Sequence, residues 1–111
     1  MKAKPSSHLK MLYNMFNALY FRDRLPKDTR LYFVPKVGRS KSIAKSACAT
    51  TYLFDPPVVV IQRSKAKSMR HVSADLLHEM AHISKPRAEH GKVFQEEMKR
   101  LANAGAFQNV W

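Results

Sequence analysis

The chain is poor in cysteine and in acidic side chains, and each shortage narrows what it can be. Its one cysteine, Cys48, can close no internal disulfide, and it rules out a zinc ribbon or finger built on several thiolates. Any metal must therefore be held by histidine and carboxylate. Only 8 Asp and Glu stand against 20 Lys and Arg, for a net charge of +12. Such a surplus selects a polyanionic partner, most often nucleic acid. No apolar run approaches the roughly 18 residues that span a bilayer, and the opening MKAKPSSHLK has no apolar signal core. The expectation is an intracellular protein, cytoplasmic, nucleoid-associated or nuclear, with no membrane partner. There is no repeat and no linker, so the 111 residues read as one domain, 1–111.

Apolar periodicity orders that domain. After Pro5, Ser6 or Ser7 can cap a helix with Leu9, Leu12, Phe16, Leu19 and Tyr20 at helical spacing, ending near Phe21. Leu31–Val34 and Pro57–Gln62 are β-rich runs, and Ala47–Leu53 is a third strand joined to the latter by the Asp55-Pro56-Pro57 turn. A second helix is predicted from about Ser68 to Ser84, stopped by Pro86. A third, from about Gly91 to Asn103, buries Phe94, Met98 and Leu101 and closes at Gly105. The fold class is α+β, with three helices and a small three-stranded sheet in the order α-β-β-β-α-α.

The second helix carries His78-Glu79-Met80-Ala81-His82, an HExxH pattern. Chance supplies it in only about 0.8% of chains with 5 His and four Glu in 111 residues, so it is read as a site. Residues four apart share a helix face, which lets both imidazoles reach one zinc ion while Glu79 serves as a non-ligating general base. His90, beyond the helix break at Pro86, is the preferred third ligand. Glu89, Glu96 and Glu97 are its rivals, although Glu96 can instead pair with Arg100. The longer HExxHxxGxxH pattern fails, because Lys85 and Ala88 occupy its Gly and last His positions.

Tyr20-Phe21 with Leu25-Pro26, a basic strand region, then Leu77–His82 and His90-Gly91-x-x-Phe94 together resemble the SprT-like (Spartan-type) metalloprotease domain. The resemblance runs from about Leu9 to Phe107. It implies a minimal zincin-like domain with one Zn²⁺ on His78, His82 and His90 and with Glu79 as catalytic base. It also implies DNA-dependent cleavage of proteins bound or crosslinked to DNA.

The basic surplus is uneven: residues 1–67 carry fourteen basic and three acidic side chains, whereas residues 68–111 carry six and five. Lys36, Arg39, Lys41 and Lys45 form one stretch free of acids, and Arg63, Lys65, Lys67 and Arg70 form another. They are the expected contacts to DNA, made to phosphates and so without sequence preference. Tyr32, Tyr52 and Phe54 can stack on bases or fill the core. Residues 47–53 can be an internal strand or an edge that receives an extended substrate. Asp75, on the face of His71, His78 and His82, can orient a ligand imidazole from behind or serve the helix start. The expected activity is that of a zinc endopeptidase acting on DNA-associated proteins. The alternatives are a catalytically weak zincin-fold DNA-binding or structural protein and a zinc hydrolase of a non-peptide substrate.

Overall fold

A computed structural model describes residues 4–34, 49–62, 69–86 and 90–107. Its elements are β1 (Lys4–Pro5), α1 (Ser7–Tyr20), β2 (Arg30–Val34), β3 (Ala49–Tyr52), β4 (Val58–Gln62), α2 (Met69–Ser84) and α3 (Lys92–Asn103). The α+β class and the order α-β-β-β-α-α hold, with a two-residue strand added in front. That strand gives no alternation to read, and Pro5 is tolerated because β1 is an edge.

The sheet order is β1-β2-β4-β3. β2 and β4 run parallel, Arg30 opposite Val58 through Val34 opposite Gln62. β3 turns back antiparallel on β4, with Thr51 opposite Val59, and becomes the far edge. Burial alternates along β4: Val59 and Ile61 are buried, whereas Val58 and Val60 are half-buried. Leu31, Val59 and Ile61 share one core with Leu9, Tyr13 and Phe16 of α1, with Leu76, Leu77 and Met80 of α2, and with Phe94 and Leu101 of α3. α2 touches α1, α3, β3 and β4, so the helix bearing the histidines is the centre of the packing.

α1 begins and α3 ends for local reasons. The Ser6 side chain caps α1 by accepting from the Leu9 backbone N–H at 3.1 Å. α3 closes with Gly105 at φ 84°, its N–H on the Ala102 carbonyl and the next N–H, of Ala106, on that of Leu101. This paired capping needs the left-handed conformation that glycine adopts without a Cβ clash.

The buried face of α1 differs from the expected one. Leu19 is 62% exposed, while Tyr13 and Asn17 are buried. The cause is the loop after α1, which folds back along the helix and brings polar backbone into the core. The Asn17 side chain meets it with two bonds, donating from Nδ2 to the Leu25 carbonyl and accepting at Oδ1 from the Leu25 N–H, both at 3.1 Å. The Tyr13 hydroxyl donates to the Pro26 carbonyl at 2.8 Å. Among the described residues no helix is long and apolar enough to cross a membrane.

Candidate metal centre

α2 sets His78 and His82 one turn apart on one face, and the helix ends at Ser84, just before Pro86. The chain re-enters at His90, one residue before Gly91, the N-cap of α3. Ring centroids lie 5.0 Å apart for His78 and His82, 5.6 Å for His78 and His90, and 4.7 Å for His82 and His90. One nitrogen from each of the three imidazoles lies within 4.8 Å of the others, so the trio could hold a metal ion. Zinc–nitrogen bonds of about 2.0–2.1 Å in a tetrahedron separate the nitrogens by roughly 3.4 Å, a closure within reach of small side-chain rotations.

The surroundings favour the neutral imidazole at His78 and His82, the form that binds a metal. Burial, reinforced by His78 and His90, pushes the pKa of His82 down to about 4. Burial, with His90 beside it, also lowers that of His78. Phe94, only 1% exposed, touches all three rings, stacked on His82 at 4.4 Å and edge-on to His78 at 5.0 Å and His90 at 5.1 Å. It forms an apolar wall that fixes the imidazoles relative to one another.

Glu79 is buried between α2 and β3, and its Oε1 accepts a 2.7 Å bond from the Thr51 hydroxyl. Burial raises its pKa to about 7, with the Thr51 bond opposing and Asp75 adding to the rise. Thr51 gives no sign of this role in the sequence, since 28 residues separate the partners.

Two of the three rival ligands fall elsewhere. Glu97 is spent on Arg100 Nε at 2.6 Å and on the Ser84 hydroxyl at 2.6 Å, and Glu96 is exposed. Arg100 thus pairs with Glu97 three residues back, not with Glu96, because Glu97 lies on the buried side of α3. Glu89 lies outside the described residues. Asp75 Oδ2 lies 3.5 Å from His71 Nε2, one turn back on α2. Phe54 is exposed and stacked on Tyr52 with centroids 5.4 Å apart, so it is not core. Lys36, Arg39, Lys41, Lys45, Arg63, Lys65 and Lys67 lie outside the described residues, and of Arg70 only its place in the first turn of α2 is described.

No family model matches the chain, and neither does any curated protein or solved structure. The likeness to the SprT-like domain therefore rests on the residues named above.

Proposed function

We propose that the protein is a zinc-dependent endopeptidase of the SprT-like type, acting on proteins bound or crosslinked to DNA. The observation that carries this reading is a buried carboxylate, Glu79, next in the chain to one of three converging imidazoles. Zinc held by His78, His82 and His90 would supply a Lewis acid and lower the pKa of water.

The chain's own groups supply the rest. Glu79, with a pKa of about 7, can take a proton from the attacking water and return it to the leaving amine. Its Oε1 is anchored by Thr51, which leaves the second oxygen to carry the proton. Among the described residues β3 is an edge strand, and its outer side offers backbone donors and acceptors to an extended peptide beside Glu79. A purely structural metal site has no use for a buried general base, which weighs against the catalytically weak alternative. The DNA partner is supported by the +12 charge, concentrated in residues 1–67.

The test is Glu79→Gln. Cleavage of a DNA-bound protein should be lost while about one zinc per chain is retained, because Glu79 is not a ligand. Loss of the metal with the activity would overturn the assignment. Neutralising Lys36, Arg39, Lys41 and Lys45 together should reduce cleavage of DNA-bound substrate and leave cleavage of a free peptide unchanged.

A further inference from the structure

A second candidate site lies in a cleft of about 290 Å³ lined in part by Arg22, Arg24, Ser84, Lys85, Glu97 and Arg100. None of the three histidines, Glu79 or Phe94 lines it. Four of its side chains are cationic and one is acidic. The acid does not neutralise the cleft, because it is already consumed. Glu97, with a side chain 4% exposed, accepts from Arg100 Nε at 2.6 Å, from Arg100 Nη2 at 3.1 Å and from the Ser84 hydroxyl at 2.6 Å.

That clamp also prepares Arg100. The guanidinium is fixed on its own helix and lies over the Phe21 ring at 5.4 Å. Two of its five N–H donors serve Glu97, which leaves three for a ligand. Arg22 and Arg24, which also line the cleft, are exposed and have no acidic partner among the described residues. They sit on a strained turn, with Arg22 at φ 53° and Asp23 at φ 59°, two successive non-glycine residues in the left-handed region. The turn is held by the Asp23 N–H on the Asn17 carbonyl at 2.9 Å and the Arg24 N–H on the Phe21 carbonyl at 2.9 Å. Strain maintained by two backbone bonds, with an unpaired arginine on either side of Asp23, marks a placed pair of cations.

We propose that this cleft binds a phosphate group, gripped by Arg100, Arg22 and Arg24, with Lys85 adding charge. Guanidinium forks match the oxygens of a phosphate, and a net +3 lining suits a doubly charged group better than a single carboxylate. The volume is near the lower end for ligand pockets, enough for a phosphate and one attached group. That phosphate can belong to a small phosphomonoester or to a nucleic-acid backbone. The inference is independent of the protease reading, since it uses none of the metal-centre residues.

The experiment titrates the 111-residue chain with inorganic phosphate and follows backbone and arginine Nε resonances by NMR. Saturable shifts at Arg22, Arg24 and Arg100 are expected. Arg22→Gln with Arg24→Gln should weaken binding about tenfold, the loss of a charge-assisted bond or more. Lys27→Gln with Lys99→Gln removes the same charge outside the cleft and should leave binding within about twofold of the parent. Absence of saturable shifts, or equal weakening in both double variants, would overturn the proposal. Two further arms identify the source. Displacement of phosphate by a nucleoside monophosphate but not by a 12-nucleotide single strand assigns the cleft to a small phosphorylated ligand. Displacement by the strand, with a log–log salt slope about 1.4 shallower in the arginine double variant, assigns it to nucleic acid.

Discussion

A threonine on the edge strand and a histidine beyond the helix break complete what the HExxH pattern begins. The Thr51 hydroxyl is the hydrogen-bond partner of the Glu79 carboxylate at 2.7 Å. Thr51→Val keeps the shape and removes the bond, so Glu79 loses its anchor. Cleavage should fall about tenfold at unchanged zinc stoichiometry, the loss of one bond to a charged group. Substitution of His90 acts differently, because that residue brings a candidate ligand from outside α2. His90→Ala should weaken zinc affinity and activity together in a competition with a chromophoric chelator, whereas Glu96→Ala should change neither. Wild-type affinity in the His90 variant would move the third ligand elsewhere.

At the scale of elements, α1 and the loop behind it behave as one piece. Asn17 binds both backbone polar groups of Leu25 in a buried setting. Asn17→Ala leaves a buried N–H and a buried carbonyl unsatisfied, and it should cost about 2–4 kcal/mol of stability by urea denaturation. Zinc stoichiometry of the folded variant should stay the same, since α1 contributes no ligand. The same loop carries Arg22 and Arg24, so this variant should also loosen the cleft and weaken phosphate binding. α2 has the opposite character: it packs against α1, α3, β3 and β4, and the core residue Phe94 lies against His78 and His82.

For the molecule as a whole, the +12 charge sets a self-repulsion that the few acids must offset locally. Glu97 is the clearest case. Burial alone would raise its pKa, but the bonds from Arg100 and Ser84, together with the charges of Arg100 and Lys85, hold it below the ordinary carboxylate value of 4.5. A depressed folded-state pKa means that its stabilisation is complete above the unfolded value, near 4.5, and fades as pH falls through the lower folded value. Glu97→Gln should therefore lose about 1–3 kcal/mol at pH 7, and the gap to the parent should narrow below about pH 4.5. Urea midpoints measured from pH 7 to pH 3 check this. A gap that stayed constant across that range would show that packing, not charge, is what the substitution removes.

Local pattern alone determined the helices, the three longer strands and the His78–Glu79–His82 spacing, because all of these depend on neighbours within one or two turns. Ser6, Pro86 and Gly105 act at element ends and were legible for the same reason. His90 was legible as a candidate only, since the spacing left three glutamates in competition. Tertiary structure set Glu97 under Arg100 and Ser84, left Glu96 exposed and brought His90 within reach of the other imidazoles. It also placed β3 at an edge of the described sheet and its Thr51 against Glu79, exposed Leu19 while burying Asn17, and set Asp75 beside His71. None of these is a periodic feature. Each follows from how a loop or strand distant in sequence packs on a helix, and that is decided by shape and by the need to satisfy buried polar groups.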